Sequence, residues 1–143
     1  MSPAIVTTRL FTYKREFVFN AWSNPHLLAQ WWGPHGFTNT IHEFDFKENG
    51  SWKLTMYGPD GTAYHNVNRF TEITAPEKIA FEHLEPVHGF TANVFFDETR
   101  ENTLLIFTMH FDKVSEYEKL KDFIAVANEE NFDRLEKVLF QQK

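Results

Sequence analysis

The sequence predicts an α+β fold. It has a sheet of about seven antiparallel strands, two short helices after the first strand, and one long C-terminal helix. Three observations carry this. Residues 37–111 read as strand and turn throughout, with connections short enough to make neighbouring strands antiparallel. Residues 14–31 switch to helical spacing, and Ser115 to Gln142 repeats apolar residues at steps of three and four.

Ile5 to Thr12 (IVTTRLFT) is β-branched and aromatic, which suits a strand. From Lys14 to Trp22, the residues Phe17, Val18, Ala21 and Trp22 form a stripe that suits a short helix. Asn24 before Pro25 reads as an N-cap with proline at the first helical position. The second helix then runs from about Pro25 to Trp31 and stops at Gly33-Pro34. Phe37 to Phe46 alternates ambiguously. Ser51 to Tyr57 alternates cleanly, with Trp52, Leu54 and Met56 on one face. Gly58-Pro59-Asp60-Gly61 is a hairpin turn, and Ala63 to Thr74 returns. Lys78 to Glu85, Phe90 to Asp97 and Thr103 to Phe111 complete the strands, with turns at Ala75-Pro76-Glu77, around Pro86, and at Glu98 to Asn102. In the final helix Leu120, Ile124, Ala127, Asn131, Leu135 and Val138 share a stripe, with Phe123 and Leu139 at its edges. No linker, repeat or domain boundary appears, so the expectation is one domain over residues 1–143.

Composition narrows the function classes. The chain is 17% aromatic, with 16 Phe and 4 Trp, so its interior is built from large flat rings. Its net charge is −6 and no Lys/Arg-rich run exists, which disfavours nucleic acid as a partner. With no cysteine, disulfides and thiolate chemistry are unavailable. No segment approaches the ~18 apolar residues of a membrane span, and the N-terminal residues lack the pattern of a signal peptide, so a cytoplasmic location is expected.

Three segments carry a resemblance. They are the run from Arg15 to Pro34 (RxxxFxxAWSNPxxLxxWWGP), Phe44 to Gly61 (FDFKENGSWKLTMYGPDG) and Glu72 to His83 (EITAPEKIAFEH). Together they resemble the bacterial branch of the ATPase-activator-like family, named for the C-terminal domain of the activator of the ninety-kilodalton heat-shock protein. The resemblance spans essentially the whole chain and implies the START/SRPBCC superfamily. Its helix-grip fold wraps a curved antiparallel sheet around the C-terminal helix and encloses an apolar pocket for lipids, polyketides or other hydrophobic molecules. Asn49-Gly50 departs from the glycine pair that the family often has there. The name-giving activator uses a further N-terminal domain for its chaperone contact, for which 143 residues leave no room, so the expectation is against a chaperone partner.

Adjacent Trp31 and Trp32 point about 100° apart on a helix, so one ring can pack under the short helices while the other covers the pocket mouth. The expected lining is Trp32, Trp52, Met56, Phe81 and His83, with Phe107 from the last strand. The long helix adds Phe123, Ala127 and Asn131. A hydrophobic small molecule is the expected partner. Chemistry is less defined. The four serines include no G-x-S-x-G elbow, and no glycine-rich phosphate loop is present. The seven histidines (His26, His35, His42, His65, His83, His88 and His110) form neither H-x-H nor H-E-x-x-H, which gives no sequence-local metal site and no cofactor. His83 shares a strand face with Phe81; it is either a satisfied core histidine or a cavity base for a cyclase- or dehydratase-type reaction. In the last strand Leu105, Phe107, Met109 and Phe111 face the helix. Leu104 and Ile106 then point outward beside Phe95, a patch suited to a homodimer.

Overall fold

The β-branched N-terminal run forms β1 (Ala4–Phe11), and the change of period after it forms α1 (Arg15–Ser23) and α2 (Pro25–Trp31). Six strands follow: β2 (Thr38–Phe44), β3 (Ser51–Tyr57), β4 (Ala63–Thr74), β5 (Lys78–Glu85), β6 (Phe90–Thr99) and β7 (Asn102–Phe111). The chain ends in α3 (Val114–Gln142). This computed structural model describes residues 3–85 and 89–143; the turn expected at Pro86, together with His88 and Ser2, lies outside them. The architecture is the α+β, helix-grip type expected, with one seven-stranded antiparallel sheet in the order β1-β7-β6-β5-β4-β3-β2. Six strands follow chain order, and β1 joins the far edge through β7, from Ala4↔His110 to Phe11↔Thr103.

Asn24 caps α2 as its residue type requires: its side chain accepts from the backbone N–H of His26 at 3.0 Å, and Pro25 follows at the first helical position. The ambiguous alternation of Phe37 to Phe46 has a local cause. A bulge between Ile41 and Glu43 inserts His42, so His42 and Glu43 both point outward while Ile41 and Phe44 point in. The β6–β7 connection is tighter than expected. Thr99 pairs with Asn102, so only Arg100 and Glu101 turn the chain, at φ of 51° and 69°. Asn49 adopts φ 66°, a left-handed conformation that asparagine tolerates, and its side-chain oxygen accepts from Arg69 at 2.7 Å. Gly50 beside it has no substitute, because any Cβ there would collide with the Asp45 carbonyl.

The inner faces of the strands and the helices share one aromatic-rich core, including Phe11, Trp22, Trp31, Trp52, Phe81, Phe107 and Phe132, all nearly or fully buried. On β7, Leu105, Phe107, Met109 and Phe111 are buried, as their alternation requires, while Leu104 and Ile106 are half-buried on the outer face. Val6, Leu10 and Phe95 are exposed on that same side. Helix α3 packs on β1 and β7 and against α1 and α2. Its buried face is Ile124, Asn128, Asn131, Phe132, Leu135, Val138 and Leu139. Arg9 on β1 ties it down through Glu129 (2.9 Å) and Asp133 (2.8 Å). Burial pulls the Arg9 pKa down, but hydrogen bonds and charge from these two carboxylates outweigh it and the net shift is upward. Among the described residues, no helix is long and apolar enough to cross a membrane.

Candidate functional site

The two short helices and the strand face opposite them bring all four tryptophans into one edge-to-face cluster. The Trp32 ring is its hub, with centroids 5.7 Å from Trp22, 5.6 Å from Trp31, 4.9 Å from Trp52 and 6.3 Å from Phe81. Trp31 is fully buried and its indole N–H donates to the Ala21 carbonyl at 3.0 Å, which fastens α2 to α1. Trp32 is half-buried, the last residue before the chain turns at Gly33. The two neighbouring rings therefore do different work: Trp31 anchors the helix pair, and Trp32 lies over the strand face between Trp22 and Trp52.

The Trp32–Pro34 segment is held from three sides. Gly33 takes φ 98°, and a Cβ on it would press on Met56 and Phe37. Asn131 of α3 accepts from the Gly33 N–H at 3.1 Å. Arg134 of α3 spreads its guanidinium over the carbonyls of Gln30, Trp32, Gly33 and Pro34 at 2.9–3.1 Å, satisfying the otherwise open C-terminal end of α2. Burial holds the Arg134 pKa below its ordinary value. From below, Asn39 of β2 donates to the carbonyls of Ala29 (3.2 Å) and Trp32 (2.6 Å).

The interior also carries unmet hydrogen-bonding capacity. The indole N–H groups of Trp22 and Trp52 and the side-chain oxygen of Asn39 are buried without a hydrogen-bond partner. Trp22 and Trp52 are only 3% and 1% exposed, and both touch the Trp32 ring. Two orphan donors and one orphan acceptor around one half-buried ring make a notable concentration, since such groups are few in native cores.

His83 sits one strand further along. It is buried, stacked on Phe90 at 4.8 Å, with Nδ1 2.9 Å from the side-chain oxygen of Asn68. Asn68 donates its amide to the Trp52 carbonyl at 3.4 Å, which turns its side-chain oxygen toward His83. The structure thus brings together Trp32, Trp52 and Phe81, with Met56 and Asn131 both at Gly33. Phe107 is 6.2 Å from Trp22 and 6.0 Å from Phe132, behind the cluster, and Ala127 is half-buried on α3. Phe123 is a correction: it is 68% exposed, because the buried face of α3 passes through Ile124 and Asn128 and leaves Phe123 on the opposite side. Sequence spacing missed Asn128, which donates to Thr7 at 3.2 Å, and it carried no signal for Arg134 or Asn39. Two surface depressions lie elsewhere. One, of about 270 Å³, is lined by Gln30, Arg134, Lys137, Val138 and Gln141; the other, of about 350 Å³, lies on the outer side beside Phe95 and Ile106. Neither is lined by a tryptophan, and the four tryptophan rings pack edge-to-face against one another.

Comparison with known proteins completes the picture. The family model described as Activator of Hsp90 ATPase homolog 1-like protein matches residues 12–139. The chain belongs to this family. Solved structures agree in fold. A protein from Arthrobacter aurescens shares 23% identity over 96% of this chain and 86% of its own, with a TM-score of 0.90. One from Nitrosomonas europaea shares 17% over 98% and 96%, with a TM-score of 0.88. The AHSA1 protein of Silicibacter pomeroyi shares 19% over 99% and 100%, with a TM-score of 0.81. No protein with a curated description matches the sequence. At these identities the family relatives attest the fold, and function has to be argued from the site itself.

Proposed function

We propose that this family member binds a hydrophobic small molecule between the strand face of Trp52 and Phe81 and the helices, with the Trp32 ring as a plug that the ligand displaces. The observation that carries this reading is the pair of buried, unpartnered indole N–H groups of Trp22 and Trp52 in contact with that plug. A buried donor without an acceptor costs stability, and a lipid-like or aromatic ligand with a carbonyl or ether oxygen would accept from either. Affinity would come from buried apolar area, at roughly 25 cal/mol per Å² before the losses of association. The polar atoms would set orientation. On this reading the chain works as one domain in the cytoplasm, and its outer patch around Val6, Leu10 and Phe95 pairs two copies, which sedimentation would detect.

Native mass spectrometry of gently purified protein tests the proposal, together with titration of the naphthalene dye 8-anilinonaphthalene-1-sulfonate. We expect an excess mass that disappears on denaturation, and several-fold tighter dye binding in Trp32→Ala. A clean mass together with unchanged dye binding in a folded Trp32→Ala variant sinks it.

One observation favours a second reading, an enzyme that moves a proton beside a carbonyl. It is the burial of the His83 imidazole beside Asn68, the residue of the adjacent strand that neighbours Trp52. His83→Gln separates the two: a binder keeps its ligand, while an enzyme keeps its ligand and loses turnover.

A further inference from the structure

Away from the tryptophan cluster, on the outer face of the sheet, three neighbouring strands each aim one side chain at a common point. The hydroxyl of Thr55 in β3 lies 2.7 Å from Nε2 of His42 in β2 and 2.8 Å from Nδ1 of His65 in β4. Thr40, Thr55 and His65 are directly opposite one another in the ladder, so His65 arrives by ordinary register. His42 follows inward-facing Ile41 and so points outward as well, and the β2 bulge leaves it without a partner of its own on β3, free to lean over Thr55. Both histidines are exposed, whereas Thr55 beneath them is 1% exposed.

The hydroxyl has one proton, so it can donate to only one imidazole; the other ring must donate its own N–H to the oxygen. One ring therefore already presents a lone pair at this point, and the other does the same once its proton moves to its far ring nitrogen, a change of tautomer with no net loss of a proton. We propose that His42 and His65 form a surface site for a borderline divalent transition-metal ion, Cu²⁺ most strongly and Zn²⁺ less so. Imidazole nitrogen suits these ions, and the order follows their general affinity for nitrogen donors. Nitrogen–metal distances of about 2.0–2.1 Å are reached by small side-chain rotations that lift both rings from the hydroxyl. Both imidazoles bind as neutral ligands and each keeps its N–H on the ring nitrogen away from the ion, with water in the remaining positions. Glu43, the other outward residue of the bulge, is paired with Lys53 at 3.3 Å and stays out of the ligand set. Among the described residues no group of three or more His, Asp or Glu side chains is placed to hold an ion, so this site competes with no stronger one there.

The test is titration of the full chain with Cu²⁺, followed by calorimetry and by paramagnetic loss of backbone amide signals. We expect one equivalent to bind, with signal loss centred on residues 42, 55 and 65. His42→Ala and His65→Ala should each weaken binding by about tenfold or more, since even indirect supports of a metal site cost that much. His35→Ala, an exposed histidine elsewhere, should leave it unchanged. Signal loss centred on another histidine, or parental affinity in either site variant, overturns the proposal. Both replaced residues are exposed, so each variant should melt like the parent, and circular dichroism checks this.

Discussion

Arg134 allows the sharpest quantitative test of how the Trp32–Pro34 segment is held. One nitrogen of its guanidinium reaches the carbonyls of Trp32, Gly33 and Pro34, and the other reaches that of Gln30. The first nitrogen has two protons for three carbonyls, so the set amounts to about three full hydrogen bonds from a charged donor. Such bonds are worth about 1.5–3 kcal/mol each when well buried. Arg134 is half-buried, water can reach part of the freed carbonyls, and burial itself opposes its charge, as its lowered pKa indicates. About 1 kcal/mol per bond is then appropriate, or about 3 kcal/mol in all. Arg134→Met keeps the apolar stem and removes the donors. We expect a loss of about 3 kcal/mol in urea unfolding and roughly 6–12 °C in melting temperature. Arg134→Lys, a point charge that reaches fewer carbonyls, should lose about half as much. Hydrogen exchange should accelerate at the Gly33 and His35 amides in both. A change below about 0.5 kcal/mol, or a large loss without faster exchange in this segment, would refute the idea that Arg134 clamps it.

Three other perturbations follow from the backbone and from charge. The β6–β7 turn holds Arg100 and Glu101 at positive φ, a conformation costing about 1–2 kcal/mol per ordinary residue. Replacing the pair by Asn-Gly should stabilise the fold by about 1 kcal/mol or more, read as a higher urea midpoint; no gain would mean that the turn is unstrained. Gly50→Ala drives a methyl into the Asp45 carbonyl and should lower stability by about 3 kcal/mol or prevent soluble expression, while a native-like melt would contradict the geometry. The hydrogen bond from Lys78 holds the Glu72 pKa below its ordinary value of 4.5. A depressed carboxylate pKa favours the fold above that value, and the contribution fades as pH falls through the folded-state pKa. The stability gap between the parent and Glu72→Gln should therefore be present at neutral pH and close in acid; a gap that widens in acid would reverse the sign of the argument.

Where pattern and structure agree, the reason is periodicity. Trp52, Leu54 and Met56 alternate without interruption, so the inner face of β3 was readable, as was that of β7. Asn24-Pro25 and the four-residue GPDG turn are local chemistry, and local chemistry is written in order along the chain. The failures are also physical. The His42 bulge breaks alternation in β2, and no residue type announces a bulge. Arg100-Glu101 turns the chain without Gly or Asn, so both flanking strands looked shorter than they are. On α3 Ile124, Asn131, Leu135 and Val138 are buried as their spacing required, but Asn128 was missed and Phe123 was turned inward. Ala127 and Asn128 are both small and neither is strongly apolar, so spacing could not choose between them, and Phe123 attracted an inward assignment by its hydrophobicity alone. The tryptophan cluster was half legible. That adjacent Trp31 and Trp32 would do different work could be read from their place before Gly33-Pro34, but the supports from Asn39, Asn131 and Arg134 join residues far apart in sequence. The same holds for the His83–Asn68 contact, which depends on a β4–β5 pairing with two irregularities.

The placement of β1 has a consequence for synthesis. Its strand partner is β7, so the earliest strand of the sheet to be made waits for the latest. At about 5–20 residues per second, the interval between Phe11 and Asn102 lasts roughly 5–20 s. During it Ile5, Val6, Leu10 and Phe11 form an apolar, β-prone edge without its neighbour, the kind of segment that nascent-chain factors cover. Arrested chains ending before β7 should be cut by protease within 4–11, and chains extended past α3 should be protected there. The strand that precedes the other six in the chain is the last to gain its neighbour in the sheet.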